Sequence, residues 1–228
     1  MRNLELSRPR TVRLAVALLA AVLLAAVPGV RATTLTISVL DRAGHPVEDA
    51  AVTAAPLDPR LAHASGETDG LIDQVDKTFV PYVTVLRVGT RVRFPNSDNI
   101  RHHVYSFSTA KRFELPLYAG RAAAPVLFDK VGVVVMGCNI HDWMLGYVYV
   151  TDAPYFGKTE ASGTVQLRDL PAGDYQVRVW HPEMEAPEQA AARTVHVDDL
   201  GAASSTWTID RQASLRPRRA PVPGSSGY

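Results

Sequence analysis

The sequence predicts an all-β protein, and two patterns carry that expectation. Beyond residue 32 the chain is a series of short stretches rich in Val, Thr and aromatic residues. Turn clusters close them, with 16 Pro and 15 Gly spread over 228 residues. No stretch after residue 32 sustains the 3.6-residue apolar period that a packed helix face requires. The remaining composition is ordinary, 46% hydrophobic and 21% charged, which excludes wholesale disorder and a collagen-like repeat.

Residues 1–32 read as a signal peptide. Arg2, Arg8, Arg10 and Arg13 precede an unbroken apolar run at 14–27, and Pro28-Gly29 ends it. Cleavage is expected after Ala32. A membrane anchor needs about 20 apolar residues, so this run is short for one. No second apolar run follows, so the mature protein is expected to be periplasmic or secreted and free of the membrane. Residues 1–32 hold five Arg and one Glu, so removing them takes the formal charge from +1 to −3. A chain of that charge is not expected to bind nucleic acid.

The strands follow in order. Residues 34–39 alternate, 41–46 turn, and 47–54 form a second strand. The Pro-, Ala- and Gly-rich stretch 56–70 is a loop. Strands are expected at 79–88, 91–94, 102–107, 131–137 and 145–150, with turns at Gly89-Thr90 and at Pro95-Asn96-Ser97-Asp98. Further strands lie at 165–167, 175–180, 194–197 and 206–209. The period of two puts Tyr175, Val177 and Val179 on one face. Short helical turns are expected within 121–124 and 183–193. Residues 211–228, rich in Pro, Ser and Arg, are expected to be disordered. His45, His63 and His196 read as surface residues, Glu183, Glu185 and Glu188 as a solvated acidic face, and Trp180-His181 as packing at a strand end.

Chemistry concentrates in two segments. Cys138-Asn139-Ile140-His141-Asp142-Trp143-Met144 sets a thiol, an imidazole and a thioether at C-x2-H-x2-M spacing, between two strand-like runs, and so reads as a loop. The single Cys excludes an intramolecular disulfide. Residues 94–104 (FPNSDNIRHHV) bring His102 and His103 into a strand. One thiolate, two imidazoles and a thioether form the donor set of a mononuclear blue copper site, with Cys and two His in a plane and Met as a weak axial ligand. Zinc sites favour several thiolates or carboxylates, which this set lacks. A Cys nucleophile paired with His141 would need an orienting third group, and none is marked. Strand parity leaves the upstream ligand open. His102, Val104 and Ser106 share one face, and His103, Tyr105 and Phe107 share the other. The greasier second face favours His103 pointing inward.

Those residues carry a family resemblance. Gln74…Phe79, FPNSDNIRHHVYSFS (94–108), KRFELPLYAG (111–120) and GCNIHDWMLGYVYV (137–150) resemble the exported cupredoxin-like proteins often labelled methylamine utilisation proteins. The Cys-His-Met spacing is similar to that of amicyanin. The resemblance implies a Greek-key β-sandwich over residues 66–153, of amicyanin or plastocyanin type. It also implies one copper per chain, held by His102, Cys138, His141 and Met144, because the ligand His of that pattern is commonly followed by Asn and Val, the register of His102-His103-Val104. His103 stands where the pattern usually has Asn. A second resemblance covers 33–57 and 154–210. The V-L-D-R-A-G-H-P-V stretch and G-T-V-Q-L-R-D-L-P-A-G-D-Y resemble the two parts of a carboxypeptidase regulatory-like, transthyretin-type or immunoglobulin-like β-sandwich. The copper segment is then an insertion within it.

The expectation is a periplasmic, monomeric, non-enzymatic type 1 copper protein that passes single electrons between redox partner proteins. Trp143, Met144 and Leu145 are expected to form an apolar docking patch beside His141. The alternative is a copper carrier, buffer or sensor without electron-transfer turnover.

Overall fold

The computed structural model describes residues 33–62, 69–121, 124–184 and 191–212. The expected signal peptide, His63, Glu185, Glu188 and the tail beyond Gln212 lie outside the described residues. The chain is all-β, as its patterning predicts. Among the described residues the one helical piece is a 3-10 turn at Pro59–Leu61, begun by the Asp58 side chain. No helix there is long and apolar enough to cross a membrane.

Two sheets combine strands from the start and the end of the chain. One has Thr33–Asp41 at its centre, antiparallel to Thr164–Leu170 and parallel to Ala202–Ile209. The other runs in the order Tyr155–Lys158, Ala51–Pro56, Gly173–Trp180, Ala191–Val197. Alternation explains their facing. Leu35, Ile37 and Val39 are wholly buried, and so are Tyr175, Val177 and Val179 on the opposite sheet. Together with Trp207, Ile209 and Leu170 they form one apolar core. Each such side chain, taken fully from water, contributes about 1.5–3 kcal/mol. One residue of the acidic tract and two of the tail join this sandwich, contrary to expectation. Glu183 is buried because Arg211 lies 3.3 Å from its carboxylate and 3.2 Å from that of Asp41. Gln212 donates its N–H to the Glu183 carbonyl. Paired in this way, an acid can leave water.

The intervening chain makes three further sheets. The largest runs in the order Arg112–Tyr118, His102–Phe107, Gly132–Cys138, His141–Thr151, Val83–Arg87. Two small ones face its inner side: Gly120–Arg121, Pro95–Asn96, Asp73–Val75 and Thr78–Val80, then Val126–Phe128, Thr90–Arg93 and Asp69–Leu71. A second core of Ile72, Phe79, Phe94, Val104, Phe128, Val134, Met136 and Val148 fills the space between. The outer face of the five-stranded sheet rests on the first sandwich. Tyr147 and Tyr149 close on Trp180 at ring-centroid distances of 5.9 and 5.4 Å, with Ala51 and Val83 beside them.

Several expected boundaries move. The strand expected at 79–88 is cut at Pro81, which cannot donate to a ladder, into Thr78–Val80 and Val83–Arg87. The expected turn at Pro95-Asn96 contains a two-residue strand. The second strand is Ala51–Pro56 and begins later than residue 47. Neither helical turn forms where described: Arg121 ends a strand, and Ala191–Val197 is a strand.

Candidate metal centre

The site is built by register. Cys138 closes the Gly132–Cys138 strand and pairs with Val104 on one side and His141 on the other. Two residues, Asn139 and Ile140, join Cys138 to His141, so the segment expected as a loop is a tight hairpin. His141, Trp143 and Met144 lie in the outgoing strand. His102 and Val104 face inward on the neighbouring strand, and the Cys138–Val104 pairing brings the thiol beside the imidazole. Gly137 permits this packing from behind. A Cβ there would stand 3.0 Å from the Tyr105 ring, which lies across it.

The donor atoms converge. Cys138 Sγ is 3.8 Å from His102 Nδ1 and 3.7 Å from His141 Nδ1. The ligating atoms of the three residues all lie within 4.8 Å of one another. The two imidazole rings stand 4.9 Å apart, inclined at 55°. His102, Cys138 and Met144 are buried, while His141 is half-buried against Trp143, its ring 5.3 Å away. Met144 belongs to the same apolar core as Cys138. A first-row ion with bonds of about 2.3 Å to sulfur and 2.0–2.1 Å to nitrogen sets S and N roughly 3.8 Å apart at 120° and roughly 3.6 Å apart at a tetrahedral angle. The two sulfur–nitrogen spacings are those of a thiolate and imidazoles that could share one ion.

The two adjacent histidines part ways. His102 is fully buried in the site. His103 points to the outer face, where its Nε2 lies 3.0 Å from the exposed Glu114 carboxylate. The greasy-face rule fails because Tyr105 and Phe107 are themselves outside; Phe107 is 74% exposed. The expected docking patch is also corrected. Met144 is only 1% exposed, and Trp143 and Leu145 are half-buried, lining a cleft of about 450 Å³ with Tyr82 and Lys158.

Sequence reading missed the loop that supports His102. Asn96, buried, donates its amide to the carbonyls of Ile100 and Tyr118 and accepts from the Asp98 N–H at 3.0 Å. Asp98 Oδ2 lies 2.7 Å from His102 Nε2. The available signal was an acid four residues before the histidine in a turn-forming tract. Burial pushes the Asp98 carboxyl upward, but bonds from the Lys77 N–H, the His102 ring and the Asp76 N–H outweigh it and hold the group below its usual value. Burial is the largest cause that lowers the His141 pKa, so its ring favours the neutral form that can ligate. Tyr118, beside the site, is pushed up to about 12 by burial and donates to the Phe94 carbonyl.

No protein-family model matches the chain, and no curated protein matches it in sequence. Among solved structures, part of the chain is similar to a purple cupredoxin from Nitrosopumilus maritimus, at 24% identity over 36% of this chain and 100% of that one, with a TM-score of 0.33. It is also similar to a copper-containing nitrite reductase from Thermus scotoductus, at 27% identity over 42% of this chain and 27% of that one, with a TM-score of 0.35. An oxidised amicyanin variant matches at 19% identity over 43% of this chain and 99% of that one, with a TM-score of 0.34. These likenesses are partial, and the case for the site rests on its own donor atoms.

Proposed function

We propose that the protein is an exported mononuclear copper protein that passes single electrons between redox partner proteins. The observation that carries this reading is one thiol facing two imidazole Nδ1 atoms at 3.7 and 3.8 Å, with a buried thioether in the same core. Soft sulfur suits Cu(I), imidazole suits both oxidation states, and a planar Cys-His-His set with a weak axial Met is the blue-copper arrangement. In this reading His102, Cys138, His141 and Met144 would hold the copper, and one Cys admits one copper per chain. Bound copper supplies a reversible one-electron couple. The chain's own residues supply rigidity and access. His102 is packed on all sides and held at Nε2, so the donor geometry changes little when the charge changes. His141 alone among the four is partly exposed, which makes its ring edge the entry point for electrons.

The same reading takes residues 66–153 as a copper-binding insertion in a sandwich made by 33–57 and 154–210. It takes residues 1–32 as the export signal. Burial of the donors favours electron transfer over a carrier, which must hand its metal on.

The test is a visible spectrum of the copper-loaded, oxidised protein with its metal content. An intense thiolate-to-copper band at one copper per chain is expected, absent in Cys138→Ser because a hydroxyl is not a soft donor. A colourless protein that binds zinc tightly and refuses copper overturns the proposal. Copper that binds but does not cycle with chemical oxidants and reductants makes the protein a carrier or buffer instead.

A further inference from the structure

A hairpin turn without glycine reaches the far side of His102. Asp73–Val75 and Thr78–Val80 are joined by Asp76 and Lys77, both in the left-handed region at φ 51° and 57°. A two-residue connection of this hand normally draws on Asn-Gly or Gly-Gly. Side-chain-bearing residues there carry a steric cost and persist where the surroundings over-determine them. Here the surroundings are one carboxylate. The Asp76 N–H donates to Asp98 Oδ1 at 2.7 Å, and the Lys77 N–H donates to Asp98 Oδ2 at 2.9 Å. That same Oδ2 is 2.7 Å from His102 Nε2. An ionised carboxylate only accepts, so the His102 proton sits on Nε2. The lone pair is left on Nδ1, the atom that faces Cys138 Sγ.

We propose that Asp98 is a positioning residue for the candidate metal centre: clamped by the Asp76-Lys77 turn, it fixes the tautomer and ring orientation of His102 before any metal arrives and keeps a negative charge beside that ligand. The orienting half is a property of the metal-free protein. The charge half rests on the copper reading above. Ligand histidines commonly give their second N–H to a carboxylate, which makes them more basic donors. A fixed negative charge one imidazole away favours Cu(II) over Cu(I) and lowers the reduction potential. The strained turn has a use on this account. Its two N–H groups hold the carboxylate, so the side chain cannot rotate away from the imidazole.

The experiment compares wild type with Asp98→Ala and Asp98→Asn, and with Asp174→Asn, which removes an exposed acid on the first sandwich, as a charge control. Nitrogen-15 NMR of the metal-free wild type should show His102 as a single Nε2–H tautomer, and Asp98→Ala should show a mixture. With copper, Asp98→Ala should bind about 10–100-fold more weakly. Both Asp98 variants should have higher reduction potentials than wild type, and Asp174→Asn should not. If Asp98→Ala does not fold, the potential of Asp98→Asn carries the test. A single Nε2–H tautomer retained in Asp98→Ala, or an unchanged potential in Asp98→Asn, overturns the proposal. A wild type that holds the tautomer but takes no copper leaves the clamp standing and removes the copper reading.

Discussion

The first sandwich and the site-bearing segment bury their side chains for different ends. The sandwich core is aliphatic and aromatic throughout, and its buried Tyr175 hydroxyl is satisfied by the Pro171 carbonyl. The second core starts the same way, with Phe79, Phe94 and Phe128. It ends in a thiol and a thioether beside a wholly buried imidazole. Polar groups placed there cost stability unless they are held, and what holds them is a loop network and, in our proposal, a metal. The first core is therefore apolar, and the second sets donor groups within an apolar surround.

Substitutions can break or sharpen that contrast. The largest effect is expected from His102→Ala, which should abolish the visible copper band, because among the described residues no other imidazole faces Cys138 and His141 together. Loss of the band in His103→Ala, with retention in His102→Ala, would reverse the assignment. Next comes Ile37→Ala, which opens a cavity in the first core and should cost about 2–5 kcal/mol by denaturant unfolding. Copper per folded chain should stay unchanged; a fall would show that the two regions are not separable. Met144→Leu conserves volume and should cost less than about 1.5 kcal/mol. It should keep copper and raise the potential, since a weak axial donor to Cu(II) is lost; complete loss of metal would make Met144 a holding ligand. Smallest is His103→Ala, which removes the contact with the exposed Glu114 carboxylate and should change stability by about 0.2–1 kcal/mol, with the spectrum retained.

The same contrast explains what could be read from sequence. Strong alternation located His102–Phe107 to the residue and the inward face of Tyr175, Val177 and Val179. These are local patterns, and local patterns survive in sequence. Arg112–Tyr118 passed unrecognised as a strand because Pro116 and its charged residues hide the period, while the bulge before Tyr118 absorbs the irregularity. The greasy-face rule misplaced His103 because it assumes that aromatic residues point to a core, and Tyr105 and Phe107 do not. Glu183 looked solvated because its partner, Arg211, lies 28 residues on. Asp98 went unnoticed for a related reason. Its role depends on the Asp76-Lys77 turn, and nothing in residues 73–80 announces which carboxylate that turn will hold.

The parallel pairing of Thr33–Asp41 with Ala202–Ile209 has a consequence for the order of assembly. The first described strand has its two sheet neighbours at Thr164–Leu170 and Ala202–Ile209, far later in the sequence. At equilibrium the long excursion matters little, since each doubling of a closed loop costs only about 0.6 kcal/mol. Kinetically it matters more, because distant pairings are slow to find. During vectorial synthesis the strands from Asp69–Leu71 to His141–Thr151 are all available before the chain reaches residue 164. Until then the first strand waits with a bare apolar face and two open edges. The segment that carries the candidate metal centre can therefore be complete while the first sandwich is still unfinished, and the period of greatest exposure to aggregation belongs to that sandwich.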